Sequence, residues 1–388
     1  MRFWECKTFL QSFLLIVPVV LGIGFKAGCG NGFFESLDAQ GWLQAYEVID
    51  MRINSGQGYA SCLDTIGYLA WRESRILKSY LNVYRATGDV KWIEKFICQA
   101  DLVLVHRDDF LRGGTPTWSN LKYLKRGSRS PRPLLVNNAM ILSPLAKFAE
   151  MVLGEESLKP YWNVALWYVD KCIETVDYFQ SWYITDGTKG YYLIQSEEWT
   201  NHPGVNAPHN WNAAMGMALL ALYRATGEER YLKQATEIAR TLKSELKVME
   251  NGSYCWYYWF GEGYEKYKST EDISHGALDV RFAVECYENG IVFNLEDIKR
   301  FAMTLKKNLW NGQDFTSSVC GGGKVKPSIA DTGILWVSLG RYDREVLNIV
   351  KAYITRKKFS DLPEFKWAWY LLAISELMAI EGLLDGHS

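Results

Sequence analysis

The sequence has almost no net charge, because 43 lysine and arginine residues are balanced by 44 aspartate and glutamate residues. Nucleic-acid binding needs a concentrated basic surface, and the one basic run, from Lys122 to Arg132, is short. The sequence also lacks a phosphate-binding loop, a dinucleotide fingerprint, a His-Glu-x-x-His helix and a Gly-x-Ser-x-Gly turn. We therefore expect no nucleic-acid partner, whereas the basic run could attract an acidic sugar.

Histidine and patterned cysteine are also scarce. There are five histidines and eight cysteines, and no two cysteines form a Cys-x-x-Cys pair. A structural zinc site normally draws on such clustered residues, so the sequence indicates none. We interpret most cysteines as small core residues and expect no cofactor, with a divalent metal as the open alternative.

The N-terminus is typical of a targeting segment. An almost uninterrupted apolar stretch over residues 9–25 ends in Ala-Gly-Cys at residues 27–29. Cleaved signal peptides, lipoproteins with lipid on such a cysteine (here Cys29) and single membrane anchors share this pattern. We predict that residues 1–29 are a signal, lipoprotein or anchor segment and that residues 30–388 form one catalytic domain. The protein would be periplasmic or at the cell surface, with its N-terminus as the only membrane contact.

The strongest pattern is a repeated phrase. Tyr-Arg-Ala-Thr-Gly followed by an acidic residue occurs at residues 84–89 and again at residues 223–228, each time between two helical runs. Gly88 and Gly227 are suited to end the first helix in a left-handed conformation, and the acidic residue favours the positive end of the returning helix. Each phrase therefore predicts the turn of a helical hairpin.

Weaker copies of the same unit recur along the chain as apolar helical runs that end at glycine. A lone hairpin cannot bury its apolar face, so stacked or closed arrays are required. The inner runs are apolar nearly all round, which favours closure over an open superhelix. We predict an all-α (α/α)6-type toroid of helical hairpins, with short β-hairpin strands in loops at residues 191–195 and 254–260. The six inner helices would begin near Asp64, Asn137, His209, Asp272, Ser328 and Phe365.

Aromatic residues make up 14% of the chain, with 16 tryptophans and 23 tyrosines. Aromatic planes pack on the C–H faces of sugars while polar groups meet the hydroxyls. Loops that precede inner helices line one mouth of a toroid, so aromatic and polar residues there suggest a glycan cleft, although many rings will simply fill the core. We assign to substrate binding Asn137, Asn138, Trp199, His202, Trp211, Asn212, Tyr254, Trp256, Asp272 and Asp279.

The segment from residue 271 to residue 281 is the richest in chemical groups. Asp272 or Ser274 can cap a helix whose first turn contains His275, and Asp279 lies one turn further on the same face. A carboxylate there would orient the imidazole and favour its protonated form, and Gly276 would allow a substrate to approach closely. The structural alternative is a well-capped helix with a buried His–Asp pair.

A second polar cluster lies in the loop at residues 201–212, which contains two prolines and runs into an inner helix. Asn210 and Asn212 could hydrogen-bond a carboxylate or hydroxyls, and His209 could neutralise charge. The alternative is that the asparagines only cap the helix.

In architecture, the chain resembles the α/α-toroid polysaccharide lyases and their glycosidase and epimerase relatives, from about residue 50 onward. The resemblance implies an asparagine and a histidine near an inner helix, a tyrosine and often an arginine as the reacting groups. Residues of these types occur here, but the asparagine follows the histidine where the alginate-lyase pattern has it first. They are His209-Asn210, His275, Arg281, Tyr254, Tyr257 and Tyr258.

A lyase of this kind would cleave a uronic-acid-containing glycan by β-elimination. The substrate carboxylate must be neutralised so that the C5 proton can leave, which Asn210 with His209 or Arg281 could do. We predict His275 as base or charge neutraliser and Tyr258 as acid, supported by Glu271 and Asp279. The predicted catalytic set is therefore His275, Tyr258, His209, Asn210, Arg281 and Glu271.

Other functions remain open at this stage. A uronate epimerase needs the same groups, and an inverting or retaining glycoside hydrolase would use Glu271 or Asp272 with another carboxylate. A glycan-binding lipoprotein would use the aromatic residues without any reaction. In each case the partner is a polysaccharide or oligosaccharide, which the lyase hypothesis makes acidic.

Overall fold

The computed structural model describes residues 38–385, except residues 63, 125–126, 195–201, 203, 262–268 and 359–360. The predicted targeting segment and Trp199 lie outside the described residues, and the domain boundary at residue 29 stays a prediction. From Leu37 onward the chain forms one compact unit. Within the described residues, no helix is both long and apolar enough to cross a membrane.

Six inner helices form a closed ring. Each packs against the next in chain order, and the sixth packs against the first. The ring confirms the predicted (α/α)6 toroid. The first inner helix begins as a π-helical turn and the fifth is wound as a 3-10 helix. In order, they are Leu69–Glu73 continued by Ser74–Thr87, Leu135–Gly154, His209–Thr226, Ile273–Glu288, Ala330–Arg341 and Glu364–Asp385.

Six outer helices surround this ring, each in contact with an inner helix. They are amphipathic, with apolar faces on the inner helices, whereas the inner helices are buried on nearly every side. The outer helices are Ala39–Arg52, Lys91–Val105, Trp162–Phe179, Glu229–Glu245, Leu295–Met303 and Arg344–Thr355. Shorter helical turns are Asn54–Gly56, Asp108–Arg112, Glu156–Tyr161, Gln180–Trp182 and Thr304–Leu309.

The end of the ring at which the inner helices finish, here called the back mouth, carries short turns. Gly88 and Gly227 have φ angles of 68° and 73°, and each donates its N–H to the tyrosine that begins the repeated phrase. Glycine adopts this left-handed conformation without the steric cost of a Cβ atom. The prediction that both glycines end their helices is confirmed.

The opposite end, at which the inner helices begin, is here called the front mouth and carries the long loops. Three two-stranded antiparallel hairpins lie in these loops. The strand predictions at residues 191–195 and 254–260 were right in place but too long. The pairs are Ser119–Asn120 with Arg132–Pro133, Tyr183–Thr185 with Gly190–Tyr192, and Lys247–Val248 with Tyr254–Cys255.

A disulfide between Cys255 and Cys320 joins the third hairpin to the loop before the fifth inner helix. These two are exceptions to the interpretation of most cysteines as core residues, and the pairing joins residues 65 positions apart in the sequence. Cys172 and Cys286 are buried free thiols, as expected of core cysteines. The covalent link therefore fixes two of the front-mouth loops to each other.

Candidate functional site

The fourth inner helix begins at the front mouth with a strong side-chain cap. Asp272 Oδ1 accepts hydrogen bonds from the N–H groups of Ser274 and His275, at 2.8 and 3.0 Å, and from the Ser274 hydroxyl at 2.7 Å. This confirms Asp272 as the helix cap. The cap places His275 in the first turn, with 34% of its side chain exposed at the front mouth.

The His275 imidazole faces two carboxylates. Its Nδ1 lies 3.2 Å from Asp272 Oδ2 and 3.5 Å from Glu271 Oε1. Burial alone would lower the pKa of His275, but hydrogen bonds and charge from Asp272 and Glu271 outweigh it and raise that pKa to about 10. His275 is therefore protonated at neutral pH, and its Nε2, on the far side of the ring, is the nitrogen able to face a ligand.

The two adjacent carboxyl groups titrate in opposite directions. Glu271 is fully buried, and burial raises its pKa in spite of the hydrogen bond with His275. Burial acts the same way on Asp272, whose side chain is 29% exposed, but hydrogen bonds from His275 and Ser274 hold its pKa well below the usual range. Environments that separate two neighbouring carboxyl pKa values are typical of acid–base sites.

Asp279 supports the site from below but does not contact His275 as predicted. Its Oδ2 accepts a hydrogen bond from the Trp256 indole at 2.9 Å, and both side chains are fully buried. Burial and the charge of Glu271 raise the pKa of Asp279 strongly. Gly276 is needed for packing and not for substrate approach, because a Cβ there would lie 3.2 Å from the rings of Trp256 and Trp336.

Tyr258 lies beside the imidazole, with its ring centroid 5.0 Å from that of His275. Its backbone N–H bonds Ser269 and its carbonyl accepts the N–H of His209, which fixes the residue between two loops. Burial and the negative charge of Glu271 raise the pKa of Tyr258. The phenol therefore stays protonated and can donate a hydrogen bond or a proton.

One metal-binding arrangement is possible within the described residues. Ligand atoms of Glu271, Asp272 and His275 lie within 4.8 Å of one another. An ion there would need a neutral imidazole, which competes with the hydrogen bonds that His275 makes to both carboxylates. The three residues could therefore supply metal ligands. Their contacts in this structure, however, are those of a protonated histidine between two carboxylates.

Three predicted substrate-binding asparagines instead hold the loops of the front mouth. Asn138 accepts the Trp118 N–H at 2.8 Å and donates to the Trp118 and Leu134 carbonyls. Asn212 makes the same contacts one hairpin later, with the Tyr192 N–H and two loop carbonyls. Asn137 bonds the side chains of Trp71 and Asn120. All three are buried, so their contacts do not support the prediction that they bind substrate.

His209 and Asn210 are also buried, at the start of the third inner helix. The His209 ring stacks on Phe260 at 4.3 Å, and burial lowers its pKa to about 3. A neutral imidazole supplies no positive charge, so the environment of His209 does not support the predicted neutralising role. His209 Nε2 and Asn210 Oδ1 have no hydrogen-bond partner among the described residues.

Three further residues of the predicted site contact other parts of the protein or are fully buried. The Tyr254 hydroxyl donates to Asp297 of an outer helix at 2.6 Å, and Trp256 is too buried to stack on a sugar. Arg281 is buried and forms a forked ion pair with Glu376, with one of the two contacts at 3.0 Å. Because its charge is already compensated, the prediction that Arg281 neutralises substrate is not supported by its contacts.

The remaining predicted residues lie at the front mouth. His202 is partly exposed, with its ring 5.2 Å from that of Trp259, and Trp211 is half-buried in the first turn of the third inner helix. Both remain accessible to a ligand. The structure thus brings together His275, Glu271, Asp272, Tyr258 and, beneath them, Asp279.

The sequence did not identify Arg75, Lys122 or Tyr123 as site residues. Arg75 lines the cavity on the toroid axis, and Lys122 and Tyr123 lie at the front mouth beside Trp71. Lys122 opens the basic run noted in the sequence, but nothing in the local pattern placed that run beside Arg75 of the first inner helix. Tyr123 has a φ angle of 65°, a left-handed conformation that is strained for a residue with a side chain. A basic run just before an inner helix was the only available signal.

No family model matches the sequence, and no curated protein matches it by sequence. Solved structures with a similar fold include the following three. An inactive variant of an α-1,6-mannanase of Salegentibacter sp. HEL1_6, with α-1,6-mannotriose, is 14% identical, with a TM-score of 0.51 over 89% of this chain and 100% of that chain. A family 76 glycoside hydrolase from a bovine Bacteroides thetaiotaomicron strain is 13% identical, with a TM-score of 0.56 over 91% and 79%. A family 76 α-mannanase of Bacteroides thetaiotaomicron is 11% identical, with a TM-score of 0.56 over 91% and 99%.

At this level of identity the likeness establishes the fold. It adds independent support to the closed ring of six hairpins, because the similarity extends over most of this chain. The three structures are described as glycoside hydrolases, so they do not support the predicted resemblance to lyases in particular.

Proposed function

We propose that the protein is a glycoside hydrolase whose active site lies at the front mouth around His275. The observation that carries the proposal is the pair of adjacent carboxyl groups with opposite pKa shifts, Glu271 and Asp272, in contact with one half-exposed protonated imidazole. Glycoside hydrolysis needs a proton for the leaving oxygen and a carboxylate near the anomeric centre.

Each group has a chemical role in this proposal. His275 carries the proton and presents it through Nε2, while Glu271 and Asp272 hold the other side of the ring. Asp272 is the ionised and partly exposed carboxylate of the group, so it is suited to stabilise positive charge or to orient water. The Tyr258 hydroxyl adds a donor beside the imidazole.

The protonation states favour hydrolysis over β-elimination. Elimination requires a base that removes the C5 proton, but His275 is protonated at neutral pH and Tyr258 holds its proton more tightly than a free phenol. His275 was predicted as base or charge neutraliser and Tyr258 as acid, and in these protonation states neither residue is available as the base. A uronate epimerase needs the same base and is disfavoured for the same reason.

The structural relatives supply a second line of support. The Salegentibacter mannanase is described as inactive when two consecutive aspartates are replaced by asparagine. This chain has its own consecutive carboxyl residues, Glu271 and Asp272, at the front mouth. At 14% identity this likeness supports the reaction class, and it identifies neither the reacting residues nor the glycan of this chain.

The experiment is a substrate panel read by two products. The purified protein is incubated with α-1,6-mannan, neutral glucans, uronate polysaccharides and sulfated polysaccharides, and new reducing ends and ultraviolet absorbance are followed. Reducing ends without new absorbance are expected. An unsaturated, absorbing product would identify a lyase and overturn the proposal, and binding in affinity gels without turnover would identify a glycan-binding protein.

A matched pair of variants tests the site. Asp272→Asn should lower the rate by about 10²–10⁴-fold, whereas Asp343→Asn should leave it unchanged. Asp343 caps an outer helix at the back mouth through the N–H groups of Glu345 and Val346. Asparagine caps as well as aspartate, and each variant loses one ion pair, with His275 or with Lys306. Both variants should therefore lose some stability and differ chiefly in turnover.

We also propose that the protein is exported. The Cys255–Cys320 disulfide supports this, because such links persist in oxidising compartments. Alkylation of the protein in its native cell compartment would test the proposal: Cys255 and Cys320 should be protected until a reductant is added.

A further inference from the structure

A small cavity lies on the axis of the toroid, below the front mouth. Residues from all six inner helices line it, and its volume of about 40 Å³ has room for two or three water-sized groups. Ser274, the neighbour of His275, belongs to its wall. The cavity therefore opens beside the proposed active site.

Arg75 lines this cavity with an uncompensated charge. Its side chain is 92% buried (8% exposed), and it donates a hydrogen bond to the Trp71 carbonyl and lies over the Trp71 ring at 5.5 Å. Among the described residues, no carboxylate lies within 4 Å of it. Burial and the nearby charge of Arg281 lower the pKa of Arg75 to about 10. Burial of a charge without a partner is unfavourable.

Lys122 places a second cation at the rim above Arg75. Its ammonium group lies 5.2 Å from the Trp71 ring and 5.1 Å from the Tyr123 ring, and within the described part of the chain it has no ion pair. Burial, Arg75 and Arg72 lower its pKa to about 8, and Asp64 compensates only in part. The Asp64 carboxylate accepts the Leu69 N–H at 3.1 Å.

The strained Tyr123 connects these cations to the acidic side of the mouth. Its half-exposed ring meets the Trp71 ring edge-on at 6.3 Å. Tyr123 interacts electrostatically both with Arg75 and with Tyr258, the neighbour of His275. The cations and the acidic groups therefore belong to one ligand-sized space.

We infer that Arg75 and Lys122 bind an anionic substituent, a carboxylate or a sulfate ester, on the sugar unit held beside His275. A forked guanidinium contact to an oxyanion is among the strongest polar contacts in proteins, and an anion would satisfy the buried cation. This inference rests on the proposed function and adds to it a substrate class: an acidic glycan.

Binding and turnover together test the inference. Calorimetry compares glucuronate with its neutral methyl ester and glucose 6-sulfate with neutral glucose. The polysaccharide panel gives kcat/KM. The wild-type protein should prefer one acidic probe to its neutral counterpart, and the preferred probe identifies carboxylate or sulfate. Arg75→Met and Lys122→Met should each weaken that binding by about 10- to 100-fold, and Arg75→Lys by less.

Lys247→Met is the matched control, because the ammonium group of Lys247 also lies on an aromatic ring at this mouth, 4.9 Å from Tyr257, but not on the Trp71 ring that Arg75 and Lys122 share. It should keep the acidic preference. Circular dichroism verifies folding, and Lys122→Met tests the rim without altering the buried wall. Equal binding of acidic and neutral probes, or an Arg75→Met variant that keeps the preference, would overturn the inference.

The two proposals fail in different ways. If wild type and Arg75→Met hydrolyse neutral glycans with the same kcat/KM, the anion-site proposal is contradicted and the hydrolase proposal is supported. If an acidic probe binds in an Arg75-dependent way but no glycan is hydrolysed, the hydrolase proposal is contradicted and the anion-site proposal is supported.

Discussion

Two buried glutamates near opposite ends of the fourth inner helix have pKa values shifted in opposite directions. Glu285, towards the back mouth, lies 3.1 Å from Lys147 and 3.4 Å from Lys78. Burial would raise its pKa, but these cations lower it to about 2. Within the described part of the chain, Glu271 at the front mouth has His275 as its only cationic partner and shares it with Asp272, so burial prevails and the pKa of Glu271 rises.

The same contrast holds for the buried cations. At the back, Lys78, Lys147 and Arg281 each have a carboxylate partner among the described residues. At the front, Arg75 and Lys122 have none, while the carboxyl groups crowd around one imidazole. A compensated network can be explained by folding alone. Separated like charges are unfavourable in the free protein, so the front mouth is the end that a ligand would complete.

The largest difference between the two mouths is expected when the imidazole of His275 at the front mouth is removed. His275→Gln should lower kcat/KM by about 10²–10⁴-fold, because the proton donor is lost. Arg341→Gln, which breaks a 2.9 Å ion pair with Glu288 at the back mouth, should leave kcat/KM within a few-fold. Steady-state kinetics on the hydrolysed glycan measures both variants. Equal losses of kcat/KM would contradict an active site at the front mouth.

The second prediction concerns stability. Glu376→Ala should lower the free energy of unfolding by about 3–5 kcal/mol, because it leaves the buried Arg281 without a counter-charge. Arg75→Met should lower it by less than about 1.5 kcal/mol, because this arginine has no ion pair to lose and methionine fills much of the space. Denaturant unfolding measures the difference. Equal destabilisation would show that Arg75 has a structural role like that of Arg281.

The third prediction tests the covalent link in the front-mouth loops. The double variant Cys255→Ser with Cys320→Ser should lose about 2–4 kcal/mol, because the disulfide restricts a long loop in the unfolded chain. Thermal unfolding with and without reductant measures the effect. If reductant lowers the wild-type midpoint no more than that of the double variant, the link contributes nothing.

The fourth prediction uses pH, and the two mouths should respond at opposite ends of the scale. Glu285 has a lowered pKa, so its stabilising contribution is complete above about pH 4.5 and is lost as pH falls towards 2. His275 has a raised pKa, so its contribution is complete below about pH 6.5 and is lost as pH rises through 10.

Each group changes the slope of stability against pH by at most about 1.4 kcal/mol per unit. Glu285→Gln should therefore remove slope only in acid, and His275→Gln only in alkali. Unfolding curves at several pH values measure both slopes, and a His275→Gln profile parallel to wild type above pH 6.5 would contradict the ion contacts of the imidazole.

The smallest effect is expected at a back-mouth turn. Gly227→Ala should cost about 1 kcal/mol, because φ is 73° there while no other atom lies within 4 Å of the added Cβ. The variant thus isolates backbone strain from packing. Turnover should be unchanged, and a loss of activity with full stability would link the back mouth to the site.

Much of the fold could be predicted because it follows local rules. The repeated phrases located Gly88 and Gly227, and the apolar runs located the inner helices. The cap at Asp272 was also visible, because a capping residue and its first turn are neighbours in sequence. The strand bounds and the Cys255–Cys320 link were not, because they depend on which loops meet.

The site was predicted in part. His275, Glu271, Asp272 and Tyr258 come together as expected, since three of them lie within five consecutive residues. The contacts of His209 and of the asparagines do not support their predicted roles. A polar residue before an inner helix gives the same sequence pattern whether its side chain faces a ligand or bonds a loop. Only burial and hydrogen-bond partners separate the two cases.

By itself, the sequence determined the hairpins, their turns and the cap that presents His275, because these rest on contacts between residues three or four positions apart. Tertiary structure decided which charges are compensated. Arg281 meets Glu376 and Glu285 meets Lys147 only because the ring closes, and for the same reason Arg75 has no carboxylate partner among the described residues. Charge compensation across helices depends on distances in space, which local sequence patterns do not contain.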